Sequence, residues 1–401
     1  MKSRVSAVLA GIACFALGAA VQRFYDVYGP DPQATQIVKS QPETGTPLDD
    51  EEEGGRIEAD LTDEPLFAYG FSTPAAPGEK ALPQDPPTRN LRPEEDPGEQ
   101  TKPRSVEGSS ASYSRVDIRD GSNVIDWFPG DHPPMPDVIK HGPARLGKEK
   151  RGCGSCHLPN GKGRPENAQP GGLPAIYIMR QLNDFRHGLR YTADPRKPNT
   201  NTMIKLAKAL TDDELKAAAE YFASIKWTTP WVRVVETDRV PKTRIQGNLF
   251  IATEKARTEP IAGRIIEVPE DEEQSEVVRN PRSGFVAYVP VGSLKKGKDL
   301  VTTGGMKIVD DKIVQGKTTA CGTCHGIDLM GVADVPPIAG RSPSYITRQI
   351  YDMQRGARNG ASAQLMKLAI ARLTTEDIVA IAAYVASVAP TSAAPNVTST
   401  N

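Results

Sequence analysis

The chain has 401 residues, room for roughly two or three domains, and carries 49 Lys+Arg against 50 Asp+Glu. That balance, a formal net charge of -1, gives no overall case for nucleic acid or for a strongly acidic partner. Gly and Pro number 35 each and aromatics make up only 6%, so part of the chain lies outside any packed core.

The N-terminus opens with Lys2 and Arg4, followed by the uncharged run Val5–Val21. Residues 1–29 therefore read as an export signal, a membrane anchor, or both. Either way the remainder is expected in the periplasm, with anchoring to the inner membrane through residues 5–21 as the alternative. Residues 30–110 hold 18 acidic and 7 basic side chains and 13 of the 35 prolines. Such a stretch buries too little apolar surface to offset its ordering entropy, so 30–112 is expected to be a disordered acidic arm. The cluster Leu66-Phe67-Ala68-Tyr69-Gly70-Phe71 is the one apolar interruption in it. The rest of the chain, 111–401, is correspondingly basic, with a net of +8.

From about residue 113 the chain repeats itself. Tyr177-Ile178-Met179-Arg180-Gln181-Leu182 matches Tyr345-Ile346-Thr347-Arg348-Gln349-Ile350 at an offset of 168, and Asp184/Asp352, Gly188/Gly356 and Arg190/Arg358 continue it. From Met203/Met366 to Ser224/Ser387 the offset is 163, the difference falling in the loop 188–202 of the first copy. Each copy reads as helices. Apolar residues recur at helical spacing around Tyr177 and Tyr345. Thr211 with Glu214, and Thr374 with Asp377, are capping boxes that start each final helix. Leu215, Ala218, Ala219 and Phe222 form its apolar stripe in the first copy, and Ile378, Ile381, Ala382 and Val385 in the second. The expected organisation is a first domain over 113–230, a linker over 231–292, a second domain over 293–391 and a flexible tail over 392–401. Within the linker, Val232–Val235, Arg264–Val268 and Phe285–Val289 are expected to be extended.

The chemistry sits in four of the five cysteines. Cys153-Gly154-Ser155-Cys156-His157 and Cys321-Gly322-Thr323-Cys324-His325 lie 168 residues apart and have the spacing that attaches haem c. Two thiols add across the two vinyl groups of the haem, and the adjacent histidine becomes the proximal ligand of the iron. A zinc site would need four ligands per metal, and a thioredoxin-like dithiol would need no histidine after its second cysteine. Two covalent haems are therefore expected. For the sixth ligand, only one methionine pair occupies equivalent positions, Met203 and Met366, against the bland reading of methionine as core filler. A thioether there favours ferrous iron. His132, His141 and His187 have no counterparts in the second copy and read as ordinary loop or surface residues. A backbone carbonyl near Pro170 and Pro337 is expected to hold each proximal histidine. Arg180/Arg348 and Arg190/Arg358 are candidates to face the haem propionates, with a solvated helix face as the alternative for one pair.

Residues 136–230 and 293–391 each resemble a class I c-type cytochrome domain, and their tandem arrangement resembles the dihaem cytochromes of the cytochrome c₄ kind. Val335-Pro336-Pro337-Ile338-Ala339-Gly340, Tyr345, Gln349 and Ala382-Ala383-Tyr384-Val385-Ala386-Ser387 carry the resemblance. It implies an all-α fold, His/Met ligation (His157 with Met203, His325 with Met366) and periplasmic electron transfer between redox proteins. The arm and the β-rich linker lie outside it. With both irons six-coordinate there is no open position for a small-molecule substrate, so an electron carrier is expected, its basic body steering it to acidic partner surfaces. The alternative is a haem-bearing subunit of a membrane-associated dehydrogenase or oxidase. A dihaem peroxidase needs an open sixth position. A thiosulfate-oxidising cytochrome usually needs a cysteine ligand, and the only spare is Cys14.

Overall fold

The computed structural model describes residues 97–194, 198–227, 231–246, 249–253 and 258–390. The apolar run 5–21, the Leu66–Phe71 cluster and the tail 392–401 lie outside the described residues.

The first domain contains helices α1 (Arg115–Arg119), α2 (Asp137–Lys140), α3 (Gly154–His157), α4 (Ala175–Arg186), α5 (Pro198–Ala209) and α6 (Asp212–Ser224). Strands β1 (Val232–Glu236), β2 (Arg239–Pro241), β3 (Thr243–Gln246), β4 (Leu249–Ala252), β5 (Thr258–Pro260), β6 (Ile266–Pro269) and β7 (Phe285–Val289) follow. The second domain contains α7 (Ser293–Thr303), β8 (Lys307–Val309), β9 (Lys312–Val314), α8 (Gly322–His325), α9 (Pro343–Gln354), α10 (Gln364–Ile370) and α11 (Thr375–Ser387). The repeat is thus structural as well. α3/α8 and α4/α9 keep the offset of 168, and α6/α11 keep 163.

Both final helices start as their sequences require. The Thr211 hydroxyl accepts from the Glu214 amide at 3.1 Å, and the Glu214 carboxylate accepts from the Thr211 amide at 2.7 Å. Thr374 and Asp377 do the same at 3.3 and 3.0 Å. Each box satisfies two amides that the helix leaves without partners. The stripes behind the caps are buried, in α6 against Ile178 of α4 and in α11 against Ile346 and Ile350 of α9.

The copies differ at their N-terminal ends. In the second, α7 crosses α11 so closely that a Cβ on Gly297 would meet the Ala380 carbonyl oxygen at 2.0 Å. Only glycine permits that approach. The first copy keeps only the last turn of α7, as the short α2: the Cys153 amide donates to the Val138 carbonyl there as the Cys321 amide donates to that of Val301, and irregular chain precedes it.

The chain is mixed rather than all-α. The three linker stretches expected to be extended supply one sheet of order β1-β7-β6, with β1 parallel and β6 antiparallel to β7. β7 is central and apolar on both faces, as buried strands are. Phe285 and Ala287 pack with Leu158, Trp227 and Trp231 on the first domain, Val289 packs in the core of the second, and Val286 faces Val240 and Ile266. The insertion is therefore a wedge that shares core with both domains. The second domain adds the β8–β9 hairpin, turned by Asp310 and Asp311, both in the left-handed region at φ 49° and 58°.

The folded part also begins earlier than expected. Within 97–112, Arg104 pairs with Tyr113 in a backbone bridge and with Glu273 at 2.6 Å. Val106 is buried with Trp127, Phe128 and Val278. These partners are distant in sequence, so composition alone counted the stretch as arm.

Candidate functional site

Each attachment motif forms one short turn of helix that brings two thiols and an imidazole to the same domain core. Cys153 packs against the first core and Cys321 against the second. Burial pushes the Cys153 thiol up to about 12 and the Cys321 thiol up to about 11. A redox dithiol or thiolate metal site needs the opposite shift. Among the described residues no three His, Cys, Asp or Glu side chains converge as a metal-ion site.

The two proximal histidines are held alike. His157 Nδ1 lies 2.9 Å from the Ala168 carbonyl oxygen, and His325 Nδ1 lies 2.8 Å from that of Pro336, residues again 168 apart. Each carbonyl accepts the Nδ1 proton, which leaves the Nε2 lone pair for a metal. Burial lowers both histidines, so the neutral, ligating form is favoured. The His157 ring stands edge-on to Phe222 at 5.9 Å. The acceptors are neighbours of the expected prolines rather than the prolines themselves. Pro170 accepts from the Leu173 amide at 3.1 Å, and Pro337 accepts from Arg341 Nε at 2.8 Å.

Met203 lies on α5 and Met366 on α10, each on the helix before a capping box and each partly buried. Met366 packs against the second core. Met179, Met330 and Met353 are core or core-packed residues without equivalents. The spare histidines have local partners. His132 meets Asp126 at 3.3 Å and the Pro133 carbonyl at 2.8 Å, His141 the Ser122 carbonyl at 2.9 Å, and His187 the Asn183 carbonyl at 2.8 Å.

Between the domains the repeat becomes a pseudo-two-fold seam. Arg190 and Arg358 form a backbone bridge across it. The Tyr191 amide donates to the Ala357 carbonyl at 2.9 Å, and the Asn359 amide to that of Leu189 at 2.8 Å. Arg190 donates to Gln181 Oε1 at 2.9 Å and to Gln349 Oε1 at 2.8 Å. Arg358 donates to Gln349 Oε1 at 3.2 Å and to Gln181 Oε1 at 2.7 Å. It also reaches the Tyr177 hydroxyl at 3.2 Å. Both guanidiniums are buried. Burial, then repulsion from Arg358, lowers Arg190. Burial alone would raise the Tyr177 phenol, but Arg358 and Arg190 outweigh it and hold it below its usual value. The Asp184 carboxylate acts electrostatically on both guanidiniums, and that of Asp352 on Arg358.

Of the other arginine pair, Arg180 is half-exposed and ion-paired with Asp334, whereas Arg348 is buried and donates to the Pro165 carbonyl at 2.5 Å. Three residues of this seam were not read from the sequence. Arg341, stacked 4.5 Å over Trp227, donates to the carbonyls of Gln169 at 2.5 Å and Gly171 at 3.1 Å. Gln169 Oε1 accepts from the Ser342 amide at 2.6 Å, and Glu267 of the insertion accepts from the Ser342 hydroxyl at 2.8 Å. None has a counterpart in the other copy, so the repeat carried no signal for them.

The cytochrome c family profile matches residues 145–226 and 305–389. The cytochrome c-554(548) of Halomonas halodenitrificans is 38% identical over 74 residues, 18% of this chain and 89% of that protein. The cytochrome c4 of Pseudomonas aeruginosa is 22% identical over 249 residues, 61% of this chain and 88% of that protein. The thiosulfate dehydrogenase electron acceptor of Stutzerimonas stutzeri is 40% identical over 74 residues, 18% of this chain; the match spans 32% of that protein's length. With its two attachment motifs and carbonyl-held histidines, the chain belongs to the cytochrome c family. It is a tandem dihaem cytochrome of the cytochrome c₄ kind that carries two covalent haems c.

Proposed function

We propose that the chain is a periplasmic electron carrier in which His157 with Met203, and His325 with Met366, are the axial ligands of the two irons. The observation that carries this reading is the equivalence of the two histidines, each with Nδ1 held by a carbonyl at 2.8–2.9 Å. The methionines are the only pair that shares the repeat, and each sits on the helix before the capping box. Each haem, when bound, supplies one-electron ferric/ferrous chemistry. The chain's own residues hold and tune it. Cys153, Cys156, Cys321 and Cys324 fasten the two haems, and burial keeps water from the histidines. Arg190 and Arg358 supply counter-charge for the propionates, with Arg348, Pro170 and Pro337 in the buried surroundings and Arg180 at the exposed edge beside Asp334. Export through residues 1–29 supports the periplasmic assignment. Among the described residues no helix is long and apolar enough to cross a membrane, so an inner-membrane anchor rests on residues 5–21 alone.

A second reading has one specific support. The Stutzerimonas stutzeri relative is named as the electron acceptor of a thiosulfate dehydrogenase. By that likeness, this chain serves as the electron-accepting subunit beside a dehydrogenase, and its redox partner is that enzyme.

Spectra of the full, matured chain test the ligands. The ferric protein is expected to show the weak long-wavelength band of Met–iron coordination. Met203→Ala and Met366→Ala should each remove about half of it and open one iron to carbon monoxide. Either variant leaving the band intact, or carbon monoxide binding quickly to the wild type, overturns His/Met ligation at that iron and brings the enzyme reading forward.

A further inference from the structure

The two copies of the attachment motif are covered differently. In the first, the chain after His157 is closed in. Leu158 packs with Trp227, Trp231 and Phe285, and the Pro159 carbonyl accepts from the Tyr221 hydroxyl at 2.7 Å. Asn160 Nδ2 donates to the Pro281 carbonyl at 2.7 Å, Arg279 to that of Ser155 at 3.4 Å, and Arg164 pairs with Glu276 at 2.6 Å. The cover is itself fastened, because Trp127 Nε1 donates to the Val278 carbonyl at 2.8 Å. Arg164 is buried in this cover because it meets Glu276 and Glu166, both at 2.6 Å.

In the second copy the same stretch stands in solvent. Cys324 is exposed, and Ile327, the equivalent of buried Pro159, is 100% exposed. Val332 is 56% exposed, and Leu365 and Leu368, on either side of Met366, are 76% exposed each. Both stretches adjoin one cluster, since Met330, Met366 and Cys321 pack on the same core. An exposed apolar group of this kind marks an interaction surface.

The cysteine sulfurs are bonded to the vinyl carbons, so the vinyl edge of each haem lies at its motif. Electron exchange weakens steeply with distance, so a partner must reach that edge. We propose that redox partners dock on the second domain around Cys324, Ile327, Val332, Leu365 and Leu368, and that residues 273–285 close the first domain to them. The occupant is a redox protein with an apolar, sparsely charged rim. The stretches 324–332 and 365–368 carry one charge of each sign, Asp328 and Lys367, so an apolar face complements them better than an acidic one. Each productive encounter moves one electron, which one protein loses and the other gains. The inference rests on the electron-carrier reading.

The test uses the full holoprotein and a reduced single-haem c-type cytochrome as the probe, with the bimolecular rate followed by stopped flow. Ile327→Glu and Leu365→Glu should each slow it about tenfold, while Val116→Glu, the same kind of change on α1 of the first domain, leaves it unchanged. Val116 is 55% exposed, so its variant folds. The wild-type rate should depend only weakly on salt. Hydrogen exchange of the same holoprotein supplies the second readout: amides of 158–166 should exchange at least about tenfold more slowly than those of 326–334. Unchanged rates in both glutamate variants, or slowing by Val116→Glu, overturn the docking site. Equal exchange of the two stretches overturns the closure. A dimer dissolved by Leu365→Glu with the rate unaltered overturns the occupant in favour of a second copy. If dithionite reduces both irons but the probe reduces neither, the electron-carrier reading fails and docking falls with it, while exchange still decides the closure.

Discussion

The two haem domains share their chemistry and differ in their surroundings. His157 and His325 meet their carbonyls at 2.9 and 2.8 Å, and the helices that flank them keep the repeat's offsets. Yet Pro159 is buried where Ile327 is bare, and only the last turn of α7 has a counterpart in the first copy, the short α2. The first domain is completed by chain from outside the repeat: residues 97–135 and the inserted sheet. The second is completed by its own helix, α7, laid across α11 through Gly297. A duplicated motif therefore holds the cofactor in the same way twice, while unrepeated chain decides what can approach it.

The largest way to break this contrast is Trp231→Ala. Trp231 is buried, 5.6 Å from Phe285, in the cluster that caps Leu158. Its removal should cost about 3–5 kcal/mol by thermal or denaturant unfolding and raise hydrogen exchange at 158–166 toward that of 326–334. An effect confined to the second domain contradicts the packing.

Asp377 tests the second domain by its own means. Burial disfavours its charge, but Lys317 at 2.8 Å, Lys296 at 2.9 Å and the Thr374 cap outweigh that and hold the carboxyl well below its usual range. The lowered carboxyl stabilises the fold above the ordinary aspartate range, ~4, and this is lost as pH falls toward the depressed value. Asp377→Asn should cost about 1–3 kcal/mol at neutral pH and much less in acid, read by denaturant unfolding. The two lysines are partly exposed, which puts the cost below that of a fully buried pair.

Glu267, which joins the insertion to Ser342, runs the other way. Burial raises it, against the opposing hydrogen bonds of Ser344 and Ser342. Its contribution is full below the ordinary glutamate range, ~4.3, and declines as pH rises through the raised folded value. Glu267→Gln should flatten that slope by about 1 kcal/mol in a series of unfolding curves. The smallest effect is expected at Ile327→Ser, within about 0.5 kcal/mol of wild type, because the side chain is fully exposed and packs on nothing.

What the sequence determined by itself was local or repeated. Two CxxCH motifs, the Thr211 and Thr374 caps, the helical stripes and three strand-forming runs each depend on residues a few positions apart, and the offsets 168 and 163 made the copies legible. The β8–β9 hairpin had a signal that went unread: Ile308-Val309 and Ile313-Val314 flank Asp310-Asp311, a two-residue turn that needs left-handed backbone. The rest had no local trace. Val106 is ordered by Val278, Asn160 is closed by Pro281, and Arg190 meets Gln349, partners more than a hundred residues apart. Burial and charge pairing between such residues depend on where the chain returns in space, so only the tertiary structure decided that one motif is enclosed, the other open, and that two arginines face each other at the seam.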